Sequence, residues 1–193
     1  MKKLSNRGFT IIELLIATVI FAVILLVITG AIIQFSRIYY KGTVTSRTQE
    51  VARTAINDIS QNIQFGSGTV PSITPLPSGD TAFHYITVGT KCYSYQANTQ
   101  VSTSQHALVV TDGACPVLAA FPANGTELLG ENMQLVGLSI STSGSLYTVQ
   151  VHVVYGDSND FQDSTKKSCK AIILGGQFCA VAELKTTVVK RIE

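Results

Sequence analysis

The chain is predicted to be an α+β protein in which one long N-terminal helix packs on an antiparallel β-sheet. A run of 20 residues, 14–33, contains no charged side chain, and an amphipathic helical pattern follows it. From residue 83 onward the apolar residues alternate with a period of two, which is typical of strands. A helix stripe and a sheet face that are each apolar on one side must cover each other, so these observations predict the packing.

The composition allows one membrane segment and one modest globular domain. The 193 residues leave room for a domain of roughly 100–150 residues, which is large enough to bury its own core. Charged residues make up 13% of the chain, and the mean hydropathy is +0.30. Without residues 1–8, which hold three of the 14 basic side chains, 11 basic and 12 acidic side chains remain. This balance does not indicate a nucleic-acid-binding protein.

Residues 1–8 form a short basic leader that ends at Gly8 and takes no part in the fold prediction. As a helix, Leu14 to Ile33 would span about 30 Å, the thickness of the hydrocarbon core of a bilayer. A secretory signal peptide has its cleavage site behind a shorter apolar region. Here the candidate cleavage site lies in front, so the apolar segment 9–33 is expected to be retained. The basic leader predicts that the rest of the chain lies outside the cytoplasm.

The helix is predicted to continue beyond the membrane as an amphipathic segment, residues 34–65. Its apolar stripe consists of Val51, Ala52, Ala55, Ile56, Ile59 and Ile63. Arg, Asn, Glu and Asp side chains, Asp58 among them, are assigned to the opposite face. The predicted helix extends from about Thr10 to Gln64, because Gly66 supplies a C-cap and Pro71 follows it.

The remainder, residues 66–193, is predicted to be a β-rich head that begins with a loop. The predicted strands are Phe83–Val88, Cys92–Gln96, Ala107–Thr111, a strand through Val136, Leu138 and Ile140, its return strand 147–155, and a last strand 182–188. They are expected to form one antiparallel sheet with a buried face and a wetter face. In the return strand, Val151 is assigned to the buried face and His152 to the wetter one.

The four cysteines are Cys92, Cys115, Cys169 and Cys179. An even number of cysteines beyond a membrane segment favours disulfides in an oxidising compartment. Nearest-neighbour pairing is the simplest of the three possible connectivities. Free thiols or a zinc site are the alternatives, but no pair has the ligand spacing of a zinc site and no histidine lies close by.

The stretch Arg7–Glu13, with the sequence RGFTIIE, resembles the prepilin motif of type IV pilins and of the pseudopilins of type II secretion. The resemblance implies that a membrane peptidase cuts between Gly8 and Phe9 and methylates the new N-terminus, making N-methylphenylalanine. Glu13 would then be the fifth residue of the mature chain. The resemblance also implies the pilin fold, in which a long helix packs on a sheet of four or more antiparallel strands.

By this resemblance the chain is expected to be a structural subunit of a type IV pilus or pseudopilus and not an enzyme. Three features look most like PilW-type minor pilins and the related J-type pseudopilins: the helix end Arg53–Gln64, the two late cysteines and the final alternating strand. The implied partners are other pilin subunits, the prepilin peptidase and methyltransferase, the inner-membrane assembly platform, and membrane lipid before assembly. The implied location is the inner membrane, as a single-pass protein with its C-terminal domain outside, and then an extracellular pilus or a periplasmic pseudopilus.

One departure from the family concerns the apolar helix. Many major pilins carry a proline there, where the helix melts on assembly, whereas this chain has no proline before Pro71 and only Gly30 in the corresponding region. Local melting of the helix therefore stays open.

Glu13 has two compatible interpretations. Its spacing from Thr10 is that of a capping box, in which a hydroxyl and a carboxylate satisfy amides at the start of a helix. In the assembly interpretation, Glu13 accepts a charge-assisted bond from the Phe9 amine of a neighbouring subunit. The assembly role is favoured, because carboxylates within a membrane segment are rare and a cap alone needs none there.

Three further groups of residues are given ordinary structural roles. His84, His106 and His152 are far apart in the sequence and are expected to be surface residues or to have protein partners. Residues 157–163 contain three aspartates that loosely resemble a calcium loop, but the pattern lacks the EF-hand glycine and glutamate, which favours a solvated acidic loop. No metal and no cofactor are predicted.

Lys166, Lys167 and Lys170 could touch DNA in an uptake pilus, but three lysines in a loop usually only add solubility, and binding of DNA or a surface ligand is unsupported. A function of a different class also remains open. The chain could be a signal-anchored extracytoplasmic binding domain that never polymerises.

Overall fold

The computed structural model describes residues 9–68, 70–74, 80–115, 120–172 and 176–191. The chain divides into two compact units, with the boundary between Tyr39 and Tyr40. One helix, α1 (Ile11–Phe65), begins in the first unit and ends in the second. Both of its ends lie within one residue of the predicted ends, Thr10 and Gln64.

In the first unit the described residues, 9–39, consist almost wholly of helix. The large apolar side chains of this part are exposed, as illustrated by Ile20 at 54% and Phe21 at 62% exposure. By length and composition, α1 is the one helix among the described residues that could cross a membrane. An apolar helix exposed on all sides needs a surrounding other than water.

In the second unit, α1 buries a single stripe. The buried residues are Val44, Thr48, Ala52, Ala55, Ile56, Ile59, Ser60 and Ile63, most of which repeat at intervals of three or four positions. The helix ends where Gly66 N–H donates to the carbonyl of Asn62 at 3.0 Å. A side chain at Gly66 would collide with Gly89 in the turn between the first two strands, so both positions require glycine.

The strands of the second unit form two antiparallel sheets. The first sheet contains, in spatial order, β1 (Phe83–Val88), β2 (Lys91–Gln96), β3 (Leu108–Asp112) and β4 (Thr126–Glu127). The second contains β5 (Met133–Ser143), β6 (Leu146–Tyr155) and β7 (Ala180–Val189). The α+β class and the long helix packed with antiparallel strands are confirmed.

The prediction of one sheet is wrong, because irregular chain lies along the outer edge of β5 instead of a fourth strand. Asn98 N–H donates to Leu135 O and Val101 N–H to Met133 O, both at 2.8 Å. Asn98 adopts a left-handed conformation, with φ of 59°, which interrupts the extended chain after β2. Only isolated bridges, such as that between Ile73 and Ile140, pair with this edge in the described part of the chain.

Two further predictions about strands need correction. The two-residue strand β4 was missed, because a strand of this length has no periodicity to detect. Val136 does not share the face of Leu138, because the register of β5 and β6 shifts between Leu135 and Gly137. This bulge keeps Leu135 and Leu138 in the main core and turns Val136 to the opposite face.

The main core lies between the stripe of α1 and the inner faces of both sheets. Ile59 and Ile63 of the helix share it with side chains of all the longer strands. The second sheet has another small cluster on its outer face, formed by Val154, Phe161 and Cys179. A chain segment that carries cysteines therefore covers part of the outer face of the second sheet, which leaves less of that sheet in contact with water than the alternation predicted.

Candidate functional site

The start of α1 brings Thr10 and Glu13 into a reciprocal pair. The backbone N–H and the hydroxyl of Thr10 each donate to Oε2 of Glu13 at 2.8 Å. The N–H of Glu13 donates back to Thr10 Oγ1 at 3.3 Å. This is a capping box, as the spacing predicts, and it satisfies amides that have no partner within the helix.

The capping box leaves the carboxylate of Glu13 with capacity for another donor. Both hydrogen bonds that reach it end on Oε2, and within the described residues Oε1 accepts none. A negative charge in the first turn also interacts favourably with the positive end of the helix dipole. The cap therefore orients a carboxylate whose second oxygen can still accept a hydrogen bond.

The predicted processing residues lie just before this box. Phe9 is 79% exposed and directly precedes Thr10. Gly8 and the rest of the leader lie outside the described residues. After cleavage at Gly8, the new amine would be on Phe9, four positions before the Glu13 carboxylate.

The four cysteines form two pairs, both in the second unit. Cys92 is bonded to Cys115 and Cys169 to Cys179, with Cα separations of 4.9 and 5.7 Å. This is nearest-neighbour connectivity. Each pair ties a chain segment to the outer face of a sheet, since Cys92 lies in β2 and Cys179 directly precedes β7.

A polar network between α1 and β2 was not expected from the sequence. Asp58 accepts hydrogen bonds from Lys91 Nζ at 2.7 Å and from the Tyr93 hydroxyl at 2.6 Å. Asn62 Nδ2 donates to the same hydroxyl at 3.0 Å. Burial, reinforced by the Asp58 carboxylate, raises the pKa of Tyr93 far above its ordinary value. The hydroxyl therefore remains a neutral donor.

The assignment of Asp58 to a solvent face of the helix is wrong, because its carboxylate contacts the first sheet. Helical periodicity could not reveal this. Asp58 is adjacent to the buried Ile59, at the margin of the apolar stripe, where a side chain can point to water or to a neighbouring strand.

Of the three lysines assigned to solubility, Lys166 is only 7% exposed. Its ammonium donates to the side-chain oxygen of Gln134 and lies 6.0 Å from the centre of the Phe161 ring. Gln134 in turn donates to the carbonyl of Gly156 at 2.8 Å. Burial lowers the pKa of Lys166. This lysine links the chain just before Cys169 to β5 and is not free to bind DNA.

The histidines are in three different surroundings. His84 Nε2 lies 3.1 Å from Asp80, and His106 Nδ1 lies 3.3 Å from Glu127. His152 lies on the predicted face, opposite the core residues Val151 and Val153, but it is only 8% exposed, so the prediction that this face is wetter is wrong at this position. Its Nε2 has no hydrogen-bond partner among the described residues, and burial lowers its pKa. The three rings are not brought together.

Two of the three aspartates of the acidic segment accept hydrogen bonds from residues near them in the chain, whereas Asp157 accepts from the side-chain amide of Gln100 at 3.2 Å. Asp160 accepts from the N–H of Asp157 at 3.1 Å, and Asp163 accepts from the N–H and hydroxyl of Thr165 at 3.0 and 2.6 Å. These hydrogen bonds lower the pKa of Asp163. The carboxylates of Asp160 and Asp163 thus act as local turn caps.

Comparison with known proteins supports the resemblance at the N-terminus. Residues 3–29 match the family model described as the prokaryotic N-terminal methylation motif. No curated protein and no solved structure gave a significant match. The chain carries a prepilin-type N-terminal motif, which supports the type IV pilin family.

The motif indicates, more particularly, a type IV pilin-like precursor that prepilin peptidase processes. Such a motif suggests a structural protein rather than an enzyme. Together with the apolar helix, it fits a membrane-anchored, single-pass protein.

Proposed function

We propose that this protein is a minor subunit of a type IV pilus or pseudopilus and assembles through the N-terminal part of α1. The observation that supports this most is the capping box, which orients the Glu13 carboxylate at the end of an exposed apolar helix. The methylation motif over the same residues supports the processing step. Residues 1–8 are removed, Phe9 becomes N-methylated, and the subunit is stored in the inner membrane.

The assembly step follows from the charges at the new N-terminus. Cleavage creates an ammonium on Phe9, and a charge in an apolar surrounding needs a partner. Oε1 of Glu13 on a neighbouring subunit can accept from that ammonium in a charge-assisted hydrogen bond. Transfer from lipid to a helical core gains little hydrophobic free energy. The polar pair therefore directs the axial register of the filament.

Each segment of the chain has its own task in the assembled fibre. Residues 9–33 anchor the subunit and then form the filament core. The amphipathic segment, residues 34–65, packs on the head through the stripe that begins at Val44. Residues 66–193 form the head that determines what the fibre contacts. Among the types of pilin subunit, the sequence features of this chain most resemble those of PilW-type minor pilins and J-type pseudopilins. The partners are other pilin subunits, the processing enzyme and the assembly platform.

The intact mass of the membrane-extracted protein tests the processing step. A chain that has lost residues 1–8 and gained one methyl group supports the proposal. A chain with an intact leader favours a signal-anchored binding domain that never polymerises.

A pair of variants tests the assembly step. Glu13→Gln keeps an acceptor for the cap but removes the charge, whereas Thr10→Val removes the hydroxyl of the cap and keeps the charge. We expect Glu13→Gln to be processed normally and to enter sheared fibres at least about tenfold less, as a lost charge-assisted bond predicts. Thr10→Val should enter them nearly normally. Equal incorporation of wild type and Glu13→Gln would contradict the assembly role.

A further inference from the structure

A pair of exposed aromatic rings lies where α1 enters the second unit. Tyr40 of the helix and Phe178, next to the second disulfide, make an edge-to-face contact with ring centroids 5.3 Å apart. The two residues are 40% and 48% exposed. We refer to Tyr40 and Phe178 as the aromatic patch. Tyrosine is enriched at protein interfaces and at membrane interfaces, where one end of the side chain meets an apolar surrounding and the other meets water.

The aromatic patch is held in place by its neighbours. The ammonium of Lys41 donates to the carbonyl oxygen of Cys179, the residue after Phe178. The Tyr40 hydroxyl is hydrogen-bonded to that of Tyr155, and this bond, more than burial, raises the pKa of Tyr155. The Cys169–Cys179 bond closes the segment that carries Phe178. Phe178 therefore projects from a constrained segment.

The length of helix between the apolar run and the patch is short. The run ends at Ile33, and the residues from there to Tyr40 are helical, which corresponds to a rise of about 10 Å. The headgroup layer extends roughly 5–8 Å beyond the hydrocarbon core on each side of a bilayer. The backbone of Tyr40 is thus expected about 2–5 Å beyond this layer, and its side chain, which tilts toward the N-terminus of the helix, reaches back to it.

The residues in this interval have the composition of a membrane interface. Phe35 and Tyr39 are 70% and 69% exposed, and Arg37 lies between them in the sequence. Aromatic rings and basic side chains concentrate at the headgroup level, because they combine apolar surface with polar or charged groups. Phe178 is far from them in the sequence, but its ring contacts that of Tyr40.

We propose that the aromatic patch is a contact between the head and the phospholipid headgroup layer while the subunit resides in the membrane. Phe178 inserts beside Tyr40 and seats the turn Gly176–Phe178 on the bilayer surface. The contact depends on the membrane-resident state of the proposed function. It goes beyond that function, because it assigns a lipid-binding role to a residue of the head.

The absence of tryptophan from the chain allows a direct test, since one introduced tryptophan is the sole indole fluorophore. Phe178→Trp would be reconstituted as the full chain in phosphatidylcholine–phosphatidylglycerol vesicles. Separate vesicles would carry nitroxide quenchers at the headgroup or deep in the acyl chain. Tyr85→Trp is the matched control, because Tyr85 is a 42% exposed aromatic residue on β1. Phe21→Trp, in the apolar run, reports insertion of the span.

We expect the headgroup nitroxide to quench the indole of Phe178→Trp at least about threefold more than that of Tyr85→Trp, with an emission maximum at shorter wavelength, as for interfacial aromatics. The indole of Phe21→Trp should be quenched most by the deep nitroxide. If the indole at position 21 is quenched and that at position 178 resembles that at position 85, the patch does not touch lipid and the inference is overturned. This result would leave the membrane anchor and the assembly role intact.

A second tryptophan position controls for a local effect of the Phe178→Trp substitution. Tyr40→Trp should also be quenched by the headgroup nitroxide, because helix length alone predicts its depth. Quenching at both positions supports the proposed contact. Quenching at position 40 without quenching at position 178 overturns it, because the depth of Phe178 rests on its contact with Tyr40. An unquenched indole at position 21 would instead contradict the membrane-resident state of the proposed function.

Discussion

The front and rear parts of α1 are both apolar, yet they use their apolar residues differently. In the front part, residues 14–33, apolar side chains cover every side and remain exposed. In the rear part, a single stripe from Val44 to Ile63 is buried, and two sheets cover it. The rear part therefore stabilises the fold of the head, whereas the front part is available to lipid or to other helices.

The sharpest test of this difference compares one isoleucine from each part. Ile59→Ala removes a side chain that is 1% exposed and should lower the free energy of unfolding by about 2–5 kcal/mol. Ile20→Ala, in the exposed part, should change it by less than about 0.5 kcal/mol. Urea unfolding of the full chain in mild detergent, followed by circular dichroism of the strands, measures both. If both variants lost the same free energy of unfolding, the front and rear parts of α1 would not differ in their contribution to stability.

The disulfides should contribute to stability only through the second unit, where both lie. Replacing Cys92 and Cys115 by serine should cost about 3.5 kcal/mol, and replacing Cys169 and Cys179 about 3 kcal/mol, since the first pair closes a longer loop. The unfolding midpoints of the two double variants show which disulfide contributes more to stability. A larger loss from the shorter loop would point to lost packing around Phe161 instead of loop closure.

The polar network that fastens the rear helix to the first sheet should have a smaller effect. Asp58→Ala leaves Lys91 and the Tyr93 hydroxyl without their carboxylate, and should cost about 1–3 kcal/mol. Tyr93→Phe removes only the hydroxyl and should cost less. Differential unfolding of the two single variants and the double variant measures their coupling. Strictly additive losses would mean that these groups do not act as a network.

The smallest expected effect is a pH dependence centred on His152. Burial lowers the pKa of His152 in the folded state, so the unfolded chain takes up a proton more readily. The contribution of the neutral His152 to the free energy of unfolding is therefore fully present above the ordinary histidine pKa of about 6.5. This contribution is lost as the pH falls from there through the lower pKa of the folded state.

The groups that face the imidazole are Glu183, which lies opposite on β7, and Lys166 and Lys167 of the covering segment. Comparing wild type with His152→Gln isolates this contribution from that of the other two histidines. The difference in urea midpoint between wild type and His152→Gln should become smaller as the pH is lowered from about 8 to about 5. A constant difference would exclude His152 as the titrating group.

Much of the fold could be predicted because its signals are local. The 20-residue uncharged run, the stripe through Ile59 and the glycine after Phe65 each depend on near neighbours in the sequence. The capping box of Thr10 and Glu13 was predictable for the same reason, since both partners lie within one turn of helix.

What could not be predicted depends on distant partners. The division into two sheets follows from segment 98–101 along β5, and the change of face at Val136 follows from a bulge. The burial of Lys166 and His152 follows from a segment that a disulfide holds over the second sheet. No periodicity within a strand records what covers its outer face.

The sequence by itself therefore determined the class of protein, the membrane-compatible helix and the paired groups at its start, because adjacent residues specify each of these. Only the tertiary structure decided which polar side chains are buried, how many sheets form, and that Phe178 meets Tyr40. Hydrogen bonds of the tertiary structure join residues far apart in the sequence. Asn62 and Tyr93 are 31 positions apart, and Lys41 and Cys179 are 138 positions apart. The physical reason is that the hydrogen bonds of a helix and its cap form between residues a few positions apart. The burial of a side chain depends instead on which distant segment of the chain packs against it.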